Sequence, residues 1–266
     1  MMQQNSLTIT LIQMNVALGR PDQNLARCQQ LLDSSTTETD IILLPELWSS
    51  GYDYENFSRL AATTPAILEK LAQIAIVRKA YIGGTLVEAD QGNFYNTFYL
   101  LNPRGEQVAA YRKIHLFSLM DEEKYFHPGS KPCLIEIRGL AVGLMTCYDI
   151  RFPELSRNLA LQGAQLLLVC AQWPQPRTAH WNTLLKARAI ENQLYVAACN
   201  RIGRGVENYY SGNSAIYDPW GATTLRTPRR QGAFSATINP AEIEQTRTTI
   251  TCFKDRRPES YEASAM

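Results

Sequence analysis

The stretch 140-LAVGLMTCYDIRFPE-154 is apolar as far as Met145, then turns polar around a cysteine that Asp149 and Arg151 follow. Apolar side chains on consecutive positions mark a strand covered on both faces, as in a sheet lying between two layers. Pro153 stands where the first turn of a helix tolerates a residue without an N–H, and Gly163 stands near the end of that helical segment. The stretch therefore reads as strand, turn, helix, with a thiol at the junction.

Outward from it the same kind of run recurs at 7-LTITLIQM-14, 40-DIILLP-45, 81-YIGGTLV-87, 94-FYNTFYLL-101, 165-QLLLVC-170, 194-LYVAAC-199 and 213-NSAIYD-218. Between the runs lie segments of helical period. Residues 22–35 begin on the N-cap candidate Asp22 and align Leu25, Cys28, Leu31 and Leu32; 64–80 begins Thr-Pro; 177–193 aligns Trp181, Leu184, Leu185 and Ile190. This alternation predicts an α/β layered fold. The pair 94–101 and 106–113 across 102-NPRG-105 predicts a hairpin, which makes the sheet mixed. No repeat, low-complexity tract or linker marks a boundary, so residues 1–266 are expected to form one domain, with a polar tail over 252–266 lying across the surface or a partner subunit.

Composition narrows the function classes. A hydrophobic fraction of 45% with 19% charged residues is that of an ordinary globular enzyme. A net charge of +1 leaves no electrostatic footprint for nucleic acid or an anionic membrane. No uninterrupted apolar run approaches the roughly 18 residues that span a bilayer, and the N-terminus reads as a first strand in place of a secretory signal. A cytoplasmic protein is expected. The cysteines Cys28, Cys133, Cys147, Cys170, Cys199 and Cys252 include no C-x-x-C pair, which disfavours a disulfide scaffold and a zinc site, so neither metal nor cofactor is expected.

Three reactive residues follow strands: Glu46 after DIILLP, Lys113 after AAYR and Cys147 after AVGLMT. Ligands collect beyond the carboxyl ends of strands in open α/β sheets, so the three can converge on one crevice. Each also has an ordinary structural reading, as a turn cap, a solvated charge and an inert buried thiol. Converged, they form a coherent set. A nearby ammonium and a turn N-terminus are expected to lower the thiol from its free value of about 8.5; a carboxylate takes the proton, and Lys113 with the Tyr148 N–H faces an oxyanion. A thioester hydrolysed by water fits an amide or nitrile. A histidine base would have to be His115, His127 or His180. Of these, His115 would share the strand face of Lys113, where two cations compete.

The segments 43-LLPELW-48, 111-YRKIHLF-117 and 146-TCYDIRFPE-154 resemble, in order and spacing, the Glu–Lys–Cys signature of the nitrilase (carbon–nitrogen hydrolase) superfamily. Further matches, among them 12-IQMNVALG-19, 119-LMDEEKYFHPG-129, 171-AQWPQPRTAHW-181 and 212-GNSAIYDPWG-221, carry the likeness along nearly the whole chain. The resemblance implies a four-layer αββα sandwich with mixed sheets, a homodimer or higher homo-oligomer, and no cofactor. It assigns Glu46 as general base, Lys113 as transition-state stabiliser, Cys147 as nucleophile, and Glu122 or its neighbour Glu123 as a second carboxylate. Arg151 then either grips a substrate carboxylate or pairs with Asp149 or Glu154. Tyr125, Phe126 and Trp173 are candidate pocket walls.

Within the superfamily, LPELWSSGYD, HLFSLMDEE and CYDIRFPE are most similar to the ω-amidase branch. That branch implies a small carboxylate-bearing amide such as 2-oxoglutaramate or 2-oxosuccinamate, with water as second substrate. N-carbamoyl amidases, deaminated-glutathione amidases and nitrilases share the catalytic set and stay open as alternatives. A non-catalytic binding protein is disfavoured by the intact Glu46, Lys113 and Cys147, and a redox-sensing thiol by the lack of a resolving cysteine nearby in sequence.

Overall fold

Residue parity along the strands decides which layer each side chain enters, and the computed structural model, which describes residues 6–260, shows the consequence. In chain order the elements are β1 (Leu7–Gln13), α1 (Pro21–Asp33), β2 (Ile41–Leu43), α2 (Phe57–Arg78), β3 (Tyr81–Asp90), β4 (Asn93–Leu101), β5 (Gln107–Arg112) and the one-turn α3 (Glu122–Tyr125). They continue with β6 (Cys133–Ile137), β7 (Leu140–Thr146), α4 (Pro153–Leu161), β8 (Leu166–Ala171), α5 (Thr178–Asn192) and β9 (Tyr195–Asn200). The rest are β10 (Ile202–Arg204), β11 (Tyr209–Ser211), β12 (Ala215–Tyr217), β13 (Thr223–Arg226), β14 (Gly232–Ile238) and α6 (Ala241–Thr249).

Two six-stranded sheets form, in the orders β14-β1-β2-β3-β4-β5 and β13-β12-β9-β8-β7-β6. Each has a parallel centre, β1-β2-β3 in one and β7-β8-β9 in the other, with antiparallel strands at the flanks. Leu7, Ile9, Leu11, Ile41 and Leu43 of the first sheet meet Leu140, Val142, Leu144, Leu166 and Leu168 of the second in one buried cluster. The alternate residues face outward: Ile12, Ile42 and Ile82 pack with Cys28, Ile67 and Leu71 of α1 and α2, while Met145, Leu167 and Val169 pack with Leu159, Trp181 and Leu185 of α4 and α5. The fold is thus the expected αββα sandwich.

Several local expectations change. Helix α2 starts at Phe57, and Pro65 lies inside it. Phe57, Leu60, Ala61, Thr64, Ile67 and Leu71 continue one buried stripe through the proline, and that packing outweighs an interior-proline cost of about 3 kcal/mol. With its preceding turn, Tyr54–Arg78, this helix is long and apolar enough to cross a membrane by length and composition. Charged residues interrupt it, and its apolar stripe lies against the first sheet. Helix α1 begins at Pro21 without a side-chain cap, leaving Asp22 in the first turn beside the positive end of the dipole. Ile190 is 47% exposed, off the buried stripe of α5. Strands β6, β10, β11, β13 and β14 and helices α3 and α6 fall in segments that the sequence reading leaves unassigned. Of the tail, Pro258–Ser260 forms a short turn of helix and residues 261–266 lie outside the described residues.

Leu168 is fully buried between the sheets, whereas Leu119 is 80% exposed. Leu168→Ala should therefore cost about 2–5 kcal/mol in urea unfolding, and Leu119→Ala less than about 0.5 kcal/mol.

Candidate active site

Glu46 follows β2, and the chain turns sharply there: Leu47 adopts φ 40° and its N–H is held by Thr85 Oγ1 at 2.6 Å. Lys113 follows β5, fixed by bonds from its N–H to the Asn96 carbonyl (2.9 Å) and from the Gly129 N–H to its own carbonyl (2.8 Å). A Cβ on Gly129 would lie 2.1 Å from the Arg112 carbonyl oxygen, so the chain passes this close only because that residue is glycine. Cys147 opens the short helical turn Cys147–Arg151 at φ 45°, a left-handed conformation uncommon for a residue with a Cβ.

These elements bring the buried groups together. Lys113 Nζ donates to Glu46 Oε1 and Glu122 Oε1, both at 2.8 Å, with no solvent exposure of the ammonium or of Glu46. Asn96 Nδ2 also donates to Glu46 Oε1 (2.8 Å), the Gln172 N–H to Glu46 Oε2 (2.9 Å), and Tyr52 OH to Glu122 Oε1 (2.8 Å). Arg201 Nη1 holds Gln172 through its side-chain oxygen (2.7 Å). Of the two candidate glutamates, Glu122 enters the cluster and Glu123 is exposed.

Asp149 joins the Cys147 turn to the Lys113 segment. One carboxylate oxygen accepts from the Thr146 N–H (2.9 Å) and Tyr111 OH (2.7 Å); the other meets the His115 N–H (3.0 Å) and His115 Nδ1 (2.8 Å). β5 ends at Arg112, and the His115 ring stacks on Phe152 at 3.6 Å and is not among the residues that line the pocket beside Cys147. His127 and His180 are exposed and do not line the pocket.

The proton affinities of the cluster diverge. Burial works to raise the Glu46 carboxyl, but the Lys113 ammonium and the hydrogen bonds to it hold it below its ordinary value of 4.5. Glu122 is pushed above that value by burial, with the charge of Glu46 adding to the shift against Lys113. Such opposed environments separate an ionised carboxylate from one that holds its proton longer. Lys113 is raised despite burial, because both carboxylates favour its charged form. The Cys147 thiol is raised, not lowered as the sequence reading expects: burial and the neighbouring Glu46 outweigh Lys113. Burial thus favours the neutral form of the sulfur, while Lys113 favours the ionised form of the neighbouring Glu46.

A narrow pocket, about 280 Å³ with the open solvent at its mouth included, lies over the cluster and is lined by Cys147, Glu122 and Tyr52 together with Tyr148, Trp173 and Arg151, among others. Arg151 does not pair with Asp149 or Glu154. Its guanidinium lies 4.6 Å from the Trp173 ring centroid, and its nearest polar partner is His180 Nδ1 at 3.4 Å. Two proposed wall residues lie elsewhere. Phe126 is buried with Leu47, Phe57 and Val87, and Tyr125 stacks on Tyr54 at 4.2 Å, so both support the wall from outside. Tyr52, Asn96, Gln172 and Arg177 were missed, and no spacing in the sequence singles them out. Asp149 enters the sequence reading only as a charge partner, although its place between Cys147 and Arg151 is visible there.

A family profile described as carbon–nitrogen hydrolase matches residues 8–248. Among relatives, a 2-oxoglutaramate amidase of Bacillus subtilis (strain 168) is 37% identical over 96% of this chain and 99% of its own length. The omega-amidase of Homo sapiens is 30% identical over 96% and 97%. Among solved structures, a mutant amidase from Nesterenkonia sp. AN1, carrying the acetamide moiety of fluoroacetamide on its active site cysteine, superposes with a TM-score of 0.86 at 26% identity, covering 97% of both chains. The sandwich, the buried Glu46–Lys113–Glu122 cluster beside Cys147, and a match over nine-tenths of its length identify this chain as a member of the amide-hydrolysing carbon–nitrogen hydrolase family.

Proposed function

We propose that this enzyme hydrolyses the terminal amide of a small carboxylate-bearing 2-oxo acid, 2-oxoglutaramate or 2-oxosuccinamate, to the dicarboxylate and ammonia. The observation that carries the reading is Lys113 held between Glu46 and Glu122, the latter lining a pocket that also presents Cys147 and an Arg151 guanidinium without a carboxylate partner among the described residues. The names of the bacterial and human relatives support the substrate class, and the covalent cysteine adduct of the solved amidase supports a sulfur nucleophile.

Attack begins as Cys147 sulfur closes on the amide carbon while Glu46 takes the thiol proton. A thiol already ionised is unnecessary when the base is in contact with it. The developing oxyanion is met by Lys113 Nζ, which has a third hydrogen beyond its two carboxylate bonds. The Tyr148 N–H in the first turn after the nucleophile is the second donor. Collapse expels ammonia, to which Glu46 passes the proton, and leaves a thioester on Cys147. Water then attacks the thioester with Glu46 again accepting a proton, the new carboxylate departs, and the thiol is restored. Substrate and water balance the reaction without a cofactor. Glu122 and Tyr52 keep the ammonium in place throughout. The free cysteines Cys28, Cys170 and Cys199 are buried, which suits a reducing cytoplasm.

A panel scored by ammonia release, with 2-oxoglutaramate, glutamine, an N-carbamoyl acid, deaminated glutathione and an aliphatic nitrile, tests the reading. Fastest turnover is expected on 2-oxoglutaramate and none with Cys147→Ala; preference for another member, or residual activity in that variant, overturns it. Lys113→Ala should lower kcat by about 100-fold or more. It should also cost about 3–5 kcal/mol in chemical denaturation, since it strands two buried carboxylates.

The pH profile follows from the opposed shifts. Glu46, being lowered, stays ionised below 4.5, so the acid limb of kcat/KM should lie above 4.5 and belong to the pair through Glu122. Glu122→Gln should move that limb downward. For stability the signs differ. Glu46 favours folding above its unfolded value and loses that contribution as pH falls through the folded one. Glu122, being raised, favours folding only below 4.5 and counts against it once pH has risen through its folded value. At neutral pH Glu122→Gln should therefore melt no lower than wild type while turning over more slowly.

A further inference from the structure

We infer that Arg177 is a specificity-determining residue of this pocket and grips, together with Arg151, the carboxylate of the amide substrate; the inference rests on the proposed function and extends it to a residue outside the catalytic cluster. The floor of the pocket sets an electrostatic problem. Two carboxylates there face a single ammonium, so an anionic substrate approaches a site with no surplus of positive charge. Its carboxylate has to be compensated on the walls. Among the lining residues the other cations are Arg151 and Arg177.

How these two arginines are held is what separates them from structural ones. Neither makes an ion pair with a carboxylate among the described residues. Arg151 lies 4.6 Å from the Trp173 ring centroid and 5.9 Å from that of Tyr148, and Arg177 lies 5.2 Å from that of Phe117. The rings are themselves linked: Phe117 and Tyr148 are 4.7 Å apart, and Trp173 Nε1 donates to the Arg177 carbonyl at 2.7 Å. Arg177, Phe117, Tyr148, Arg151 and Trp173 thus form one connected series along the pocket lining. A ring face steadies the plane of a guanidinium and leaves N–H edges for a ligand, with His180 Nδ1, 3.4 Å from Arg151, the one side-chain contact of either group besides the rings among the described residues.

Arginines elsewhere show the contrast. Arg112 also lies over a ring, Tyr95, at 3.7 Å, but its N–H groups are taken by Glu88 and Asp90. Arg201 lies over Tyr210 and is bonded to Gln172 and to the carbonyls of Val16 and Arg204. Local helix structure does not account for Arg177 either, since it precedes α5 without a side-chain capping bond.

The test compares kcat/KM for 2-oxoglutaramate and for pentanamide, an uncharged amide of the same carbon count, in wild type, Arg177→Gln and Arg177→Met. The methionine keeps an apolar stem over Phe117, so either variant that melts as a folded protein decides. Loss of a hydrogen bond to a charged group should cut the preference for the charged amide by about 10-fold or more, chiefly through KM. A preference within about 2-fold of wild type in a folded variant overturns the role of Arg177 while leaving the proposed function standing. A wild-type enzyme without any preference for the charged amide removes the proposed function, and the inference with it.

Discussion

A lysine ammonium with no solvent exposure sits between two buried carboxylates, and the geometry around it is constrained by the need to keep all three groups bonded. Removing such charges from water costs several kcal/mol for each ion, and their mutual attraction repays this only when the remaining lone pairs are satisfied. That requirement explains why Asn96, Gln172 and Tyr52 converge on Glu46 and Glu122. Of the carboxylate oxygens of Glu46 and Glu122, Glu122 Oε2 is the one without a partner among the described residues. A buried acceptor left open on the carboxyl with the higher proton affinity is the natural place for a proton or a polar substrate group to bind.

The nucleophile is arranged differently from an activated thiolate. Its left-handed backbone ends β7 at Thr146, and Cys147 stays packed with Met145 and Val169 while still lining the pocket. Such a conformation persists because neighbouring bonds fix the turn, and Asp149 supplies them by accepting the Thr146 N–H before the nucleophile while also holding His115 and Tyr111. Burial and the neighbouring Glu46 raise the proton affinity of this thiol, and in the mechanism we propose Glu46 receives its proton as the carbonyl arrives.

The sequence made the layers legible because parity is a local property. Apolar runs on consecutive residues told of two-sided burial at 140–146 and 165–170, and both proved to be central strands. What failed were segments whose pattern depends on distant partners. Strand β14 has a half-exposed run, Ala233–Ala236, that is a strand because it pairs with β1 at the other end of the chain. The start of α2 was lost behind Pro65, a strong local stop signal that long-range packing overrides. The site divided in the same way. Glu46, Lys113 and Cys147 were visible as reactive types at strand ends, whereas Gln172 and Asn96 are ordinary amides until the fold aims them at Glu46. Tyr125 and Phe126 were misplaced because aromatic composition does not say which side of a wall a ring occupies.

Both sheets contribute to the site, and this gives the inter-sheet core a second role. Glu46 and Lys113 follow strands of the first sheet, while Cys147 and Gln172 follow strands of the second. Apolar packing of the kind that gathers Ile9 and Leu168 into one cluster would by itself tolerate small slides, since hydrophobic attraction has no direction. Hydrogen bonds do have direction, and several cross between the sheets near the site, among them Gln172 N–H to Glu46 Oε2, Gln172 Nε2 to the Glu46 carbonyl, Tyr111 OH to Asp149 and His115 N–H to Asp149. A displacement of about one ångström would break these bonds before it disturbed the core appreciably. The apolar contacts therefore bring the layers together, and the buried polar bonds set the alignment of Cys147, Glu46 and Lys113 on which the proposed mechanism depends.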